Sequence, residues 1–419
     1  MHIFTTIFLS FLAASVLVRL WLTQRQIRHI RAHHDSVPAA FADRISLQDH
    51  QRAADYSCSK LRVGRVMLAW ETLWLLLWTL GGGINLIDQW WGGLDYSPLL
   101  AGIGVILSLT LLSSLLDLPF SLYLTFVIEE RFGFNKTTLA TWLVDLIKTA
   151  ALVLILGVPL LAAILWLMNQ AGVYWWIYAW LLWMGFSLTM IWAYPAFIAP
   201  LFNKFSLLDN ASLRARIEDL LNRCGFRSQG VFVVDGSRRS SHGNAYFTGF
   251  GKNKRIVFYD TLLESLSEDE VEAVLAHELG HYKRKHINKS LLLSSVISFA
   301  GFAILAWLMR SDWFYSSLGV ETPSTHAALL LFMLVMPVFS YFISPLFSAM
   351  SRKHEFEADE FAHSNSDYRA LISALVSLYR DNASTLTPDP LHSMFYDSHP
   401  PASIRISHLE SIATGKAGA

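Results

Sequence analysis

The chain has 419 residues, 53% of them hydrophobic and 16% charged, with 15 tryptophans, which argues against a soluble protein of two or three domains and for a membrane protein. Lysine plus arginine equals aspartate plus glutamate at 33 each, so net charge points to no nucleic-acid partner. The two cysteines, Cys58 and Cys224, lie far apart without a CxxC spacing, which leaves neither a disulfide framework nor a thiolate metal site.

A helix of about 20 apolar residues crosses the hydrocarbon of a bilayer. Seven such runs follow one another at about 2–22, 66–87, 99–125, 144–168, 174–199, 290–309 and 327–349. The first, "MHIFTT", has no basic flank and no small-residue cleavage site after its apolar core, so it reads as a retained span and not a signal peptide. Arg25, Arg28, Arg31, Arg44, Arg52, Lys60, Arg62 and Arg65 crowd the connection after it. The positive-inside rule puts that connection in the cytoplasm and the N-terminus outside. Later connections alternate, with none of these charges in "DQWWGGLDYS" or "NQAG", Arg131 and Lys136 between, and a basic stretch over 200–289. Within the spans, Glu71, Asn85, Asp117, Asp145 and Lys148 are costly in hydrocarbon and should face protein or a wet cavity. Asp145 and Lys148, three apart on a helix, have the spacing to pair.

The 200–289 stretch reads as a small α+β insertion. "SLRARIEDLLNRCGF" has helical periodicity, and "GVFVVDG", "NAYFTGF" and "KRIVFYD" have the β-branched and aromatic content of strands. "SLSEDEVEAVLAHELGHYKRKH" then offers a capping box at Ser267 and Glu270 and an apolar stripe behind two histidines. His277 and His281, at i and i+4, project from one helical face and can share a Zn²⁺ ion, while Glu278 between them can serve as general base on a water at the metal. Zinc of this kind needs a third protein ligand and keeps one position open. Glu355 in "SRKHEFEADEFA", just past the seventh span, is the candidate. Asp359, one turn on, can accept from the outer nitrogen of a liganding histidine, whereas Glu357 should point to another face. The zinc helix enters span six and the acidic helix leaves span seven, so antiparallel packing of those spans would bring the two together. His286 falls one residue short of the position a third histidine ligand would need, and reads as an interfacial basic residue. His354 is a weaker spare ligand.

With these blocks in view the chain resembles the type I CAAX prenyl endopeptidases, integral-membrane zinc proteases with a gluzincin-like HExxH. "LPFSLYLTFVIEERFGFNKTT", "IAPLFNKF", "GNAYFTGFGKNKRIVFYDTLL", "VLAHELGHYKRKH", "EFEADEFA" and "SHPPASIRI" stand in the family's order. The resemblance implies a mainly α fold of seven transmembrane helices enclosing a water-filled chamber, capped by a small cytoplasmic α+β zincin-like metalloprotease domain. It implies one zinc ion on His277, His281 and Glu355, Glu278 as base, Asp359 behind the ligands, and His399 and Arg405 lining the site, where they could meet the oxyanion. It further implies that "HGNAYF" is an edge strand for the substrate backbone, with His242, Asn244, Ala245 and Tyr246 as binding residues. Where the family has serine before the asparagine this chain has Gly243, a change expected to loosen the strand.

The implied partners are the bilayer and a peptide or protein with a lipidated or membrane-anchored C-terminal segment, cleaved near that end. No nucleic acid is expected. The division is 1–199 for five spans, 200–289 for the zinc-protease insertion, 290–350 for spans six and seven, and 351–419 for the cytoplasmic helical remainder. Short outer loops and a "GKAGA" end without a basic retrieval signal lead to a bacterial cytoplasmic membrane as the expected location. A quality-control protease of membrane proteins and a transporter or receptor with structural zinc are the rival readings.

Overall fold

The computed structural model describes residues 2–226, 230–250 and 253–415. Gly251 and Lys252 of the strand block and the 416–419 end of "GKAGA" lie outside the described residues.

The helices long and apolar enough to span a membrane are α1 (Ile3–Ala32), α2 (Leu47–Trp78) with α3 (Gly83–Gly92), α4 (Pro98–Glu129), α5 (Leu139–Gln170) and α6 (Gly172–Phe202). After the inserted segment come α10 (His286–Leu308) and the run Thr325–Asn365, giving seven spans among the described residues when α2 and α3 count as one. The second span was expected to run unbroken over 66–87. It bends by 49° between α2 and α3 because Gly81, Gly82 and Gly83 intervene, with Gly82 at φ +79, and a Cβ on Gly81 or Gly83 would strike Leu77 or Trp78. α1 and α2 outrun the hydrocarbon, α2 starting at the Ser46 cap, whose hydroxyl accepts from the Asp49 N–H. Arg25 on the projecting end of α1 reaches Asp389 at 2.9 Å and so ties the first span to the C-terminal part.

One apolar core, with Phe8, Val105, Trp175, Phe314 and Leu331 at its centre, closes the end of the bundle near the 310–324 loop. Beyond it the spans separate. Only 6% of the apolar window of α6 is buried, so this helix is bare on its inner as well as its outer face, as a wall around a chamber must be. A cavity of about 330 Å³ between α1, α2, α4 and the seventh span is lined by Arg19, Glu71 and Asp117, which places those carboxylates on interior space. Asn85 bonds the Gly319 carbonyl at 2.7 Å. Asp145 and Lys148 do not pair with each other. Asp145 takes both arms of Arg239, at 2.7 and 2.9 Å, and Lys148 donates to the Leu201 carbonyl at 2.7 Å, because the inserted segment and the end of α6 present better-placed partners.

The inserted segment carries β1 (Phe205–Leu207), α7 (Ala211–Arg223), β2 (Val231–Val234), β3 (Ala245–Phe250), β4 (Asn253–Tyr259), α8 (Asp260–Ser265) and α9 (Glu268–Lys283). The sheet order is β1-β2-β4-β3, with β2 and β4 parallel and the other pairs antiparallel, so β3 is an edge. The seventh span consists of α11 (Thr325–Ser340), a short turn, and α12 (Ser344–Asn365). It leads to α13 (Tyr368–Asp381), α14 (Pro390–Tyr396) and α15 (Ala402–Ala413). A second core, around Ile217, Leu220, Phe258, Val271, Leu275, Leu279 and Ala374, joins the sheet to α7, α9 and α13. Cys58 and Cys224 are buried free thiols.

Candidate active site

α9 starts at a complete capping box: Ser267 Oγ accepts from the Glu270 N–H, and the Glu270 carboxylate accepts from the Ser267 N–H at 2.8 Å. Its apolar stripe, Val271, Val274 and Leu275, is buried in the second core, which turns His277 and His281 towards α12. Gly280 makes the close approach feasible. A Cβ there would lie 2.9 Å from the Ala358 Cα, so any larger residue would push the two helices apart. α10 packs on α6 through Trp176 and Trp180 against Phe299, and the halves of the site meet through α9 and α12.

At that crossing the donor atoms of His277, His281 and Glu355 all lie within 4.8 Å of one another. His277 Nε2 and His281 Nε2 are 3.2 Å apart, and the Glu355 oxygens are 3.2 Å from His281 and 3.5 Å from His277. Ligands about 2.0–2.1 Å from a tetrahedral Zn²⁺ ion stand roughly 3.3 Å apart, and the spacings here come close to that, the two Glu355 distances being made by Oε1 to His281 and Oε2 to His277. The outer nitrogen of His277, Nδ1, lies 2.8 Å from Asp359, which is fully buried. Burial and the Arg405 guanidinium both favour neutral His277, yet hydrogen bonds to Asp359 and Glu355 outweigh them and lift its pKa to about 9. A metal binding here therefore displaces a proton.

Arg405 lines the site with Glu278 and His399, as expected, but its guanidinium is committed to carboxylates. It is buried, its Nε and Nη2 donate to the two Asp359 oxygens at 2.8 and 2.5 Å, and Nη1 is 3.4 Å from Glu355. Two buried carboxylates hold the guanidinium, so it positions the ligands from behind. His399, on the turn between α14 and α15, is the exposed member, its ring 65% accessible and its Nδ1 2.7 Å from Glu355. Arg352 pins that turn by donating to the carbonyls of Ser393, Met394 and Asp397.

Glu278 and His399 both line two cavities. One, of about 330 Å³, also touches Asn244, Ala245, Tyr379, Asn382 and Arg405. The other, of about 500 Å³, is lined by Phe247, His281, His286, Ser290, Leu291 and Ser294, and follows α10 towards the membrane. Ala245 and Phe247, two apart on β3, serve one cavity each, so the edge strand runs past Glu278. Asn244 is exposed at its start. His242 and Tyr246 line neither cavity. The His242 ring stacks on Phe134 at 4.3 Å and faces Glu129 and Asn382, and the Tyr246 ring meets Tyr259. Gly243 is not loose: Asn382 accepts from its N–H at 3.0 Å and donates to its carbonyl at 3.4 Å.

The sequence reading missed Tyr379 within α13, Asn382 at the cap that ends it, and Arg352, one turn before Glu355 on α12. Glu357 does point to another face than Glu355, and there it meets His286, which is buried beside His281 and not interfacial, at 2.9 Å. His354 is stacked on His286 at 4.1 Å.

Two family models match, described as the CAAX prenyl protease N-terminal region with five membrane helices, over residues 26–204, and peptidase family M48, over residues 207–413. The chain is 42% identical to a CAAX prenyl protease 1 homologue of Arabidopsis thaliana over 71% of this chain and 70% of that one. It is 37% identical to CAAX prenyl protease 1 of Saccharomyces cerevisiae over 74% and 72%. This chain belongs to the M48 family of CAAX prenyl proteases. The crystal structure of S. mikatae Ste24p matches it with a TM-score of 0.90 at 31% identity, covering 98% of this chain and 99% of that one. The protein is thus a membrane-embedded metalloendopeptidase of many spans with this family's chambered fold, and the transporter or receptor reading falls away.

Proposed function

We propose that the protein is a zinc endopeptidase that cuts a peptide bond near the C-terminus of a prenylated, membrane-held substrate. The convergence of His277, His281 and Glu355 at tetrahedral ligand spacing, with Glu278 beside them and a cavity leading to the membrane, is the observation that carries the reading. Two imidazoles and a carboxylate would hold one Zn²⁺, which when bound polarises the scissile carbonyl and acidifies water. Glu278 takes the proton from that water and returns it to the leaving amine. His399, exposed at the junction of the cavities, donates to the developing oxyanion. Asp359 fixes the His277 tautomer, and Arg405 holds Asp359 and Glu355 in register.

The substrate backbone lies along β3, where Asn244 and the edge N–H and C=O groups set its register. Its lipid follows the cavity beside α10, whose Leu291 and Ser294 lead towards the chamber. The division into 1–199, 200–289, 290–350 and 351–419 assigns spans to lipid accommodation and the rest to chemistry. The charge pattern places the site on the cytoplasmic side with the N-terminus outside. The named relatives are eukaryotic, whereas the short outer loops are the ground for a bacterial cytoplasmic membrane.

The test is the purified protein, its metal content, and cleavage of matched C-terminal peptides with and without a prenyl group. One zinc per chain and faster cleavage of the prenylated peptide support the reading. Equal rates on both peptides overturn the substrate assignment in favour of quality control.

A further inference from the structure

We propose that His286 and Glu357 form a relay that fixes the tautomer of His281 and raises its basicity as a metal ligand. The inference rests on the metal-binding role of His281 proposed above.

His281 Nε2 is the nitrogen turned towards Glu355 and His277, at 3.2 Å from each. For Nε2 to ligate, the neutral ring must carry its hydrogen on Nδ1. Nδ1 lies 3.0 Å from His286 Nδ1. His286 must then accept at Nδ1 and carry its own hydrogen on Nε2, which sits 2.9 Å from Glu357 Oε2. One arrangement of hydrogens satisfies both contacts: His281 donates to His286 and His286 donates to Glu357. Asp359 does directly for His277, at 2.8 Å, what Glu357 does for His281 through an intervening ring.

The surroundings hold the relay in place. His286 is 4% exposed, so it has no bulk water to bond instead. The His354 ring lies parallel to it, 4.1 Å away with a 12° interplanar angle, which sets its plane. Lys289 Nζ stands 3.5 Å from Glu357 Oε2 and favours the carboxylate. The backbone is bent to bring the rings together. On an unbroken helix a residue five positions on is rotated by about 140° from its predecessor. α9 ends at Lys283, Lys285 adopts the left-handed conformation at φ +59, which L side chains rarely take, and α10 starts at His286, which brings the ring back against His281.

The experiment strips metal from the full-length protein in detergent and measures Co²⁺ and Zn²⁺ affinity by chelator competition, with the Co²⁺ d–d spectrum recorded alongside. His286→Ala is expected to weaken binding towards 100-fold and to shift the spectrum, as losing an outer-shell partner does. Glu357→Gln keeps an oxygen that can accept from His286 while removing the charge. Its expected loss is roughly tenfold, with a smaller spectral shift in the same direction. A purely structural role for His286 predicts parental affinity and an unchanged spectrum in Glu357→Gln, and that result overturns the relay even if His286→Ala fails to fold. Parental affinity in both variants overturns it as well. Failure of the parent to bind either metal instead sinks the ligand assignment of His281.

Discussion

The membrane and protease halves put the same aliphatic side chains to opposite use. Leu111, Leu115, Ile147 and Ile155 on the spans stand bare, whereas Val271, Leu275 and Leu279 on α9 are sealed in a core. In hydrocarbon an exposed leucine costs nothing, so burial there says little, and the informative groups are polar ones such as Arg19, Glu71 and Asp117 around the interior cavity. In the protease half apolar burial is the framework, and against it a buried polar cluster is assembled from His277, Glu355, Asp359 and Arg405. The first half needs composition to be right; the second needs position to be right within tenths of an ångström.

That contrast can be broken most severely at Glu278. Glu278→Gln should lower kcat by about 10²–10⁴-fold while metal content by elemental analysis stays at the parental level. Full turnover by that variant would leave the protease half without its proposed base. Chelator dialysis should likewise abolish cleavage, with Zn²⁺ restoring it. Next in size, Asp359→Ala leaves Arg405 as a buried charge without its main partner and should cost about 3–5 kcal/mol of stability in denaturant unfolding. By contrast Ile155→Ala, at an exposed position on α5, should leave the same transition in place. Metal affinity should fall up to about tenfold for each pH unit below 9, because His277, with its pKa raised to about 9, must lose a proton to ligate. Competition titrations from pH 9 to 7 check the sign. Gly280→Ala, which forces α9 off Ala358, should weaken metal binding by a smaller factor and raise KM little, since β3 is untouched.

Much of this was legible in the chain itself, for reasons that differ by region. A span is read from length and composition because the bilayer demands both, and the seven runs emerge as helices. The capping box at Ser267 and Glu270 is local chemistry within four residues, and it forms as read. The bend at Gly81–Gly83 was overlooked because apolar composition continues through it while the backbone does not. Asp145 was matched to Lys148 by helical spacing, but Arg239, ninety-four residues away, offers a two-armed partner that spacing cannot see. Glu357 was set aside because it faces away from Glu355 on α12, yet that other face is where the left-handed break at Lys285 delivers His286.

Local sequence alone determined the spans, the i, i+4 spacing of His277 and His281, and the helix that presents them, since each depends on a repeat or a cap within a few residues. Only the tertiary structure decided what stands behind the ligands: Arg405 turned onto Asp359, Asn382 clamping Gly243, and His286 carrying the hydrogen bond from His281 to Glu357. Those contacts join residues on separate helices whose relative rotation is fixed by packing, as where Gly280 lets α9 settle on Ala358, and no short stretch of sequence encodes that rotation.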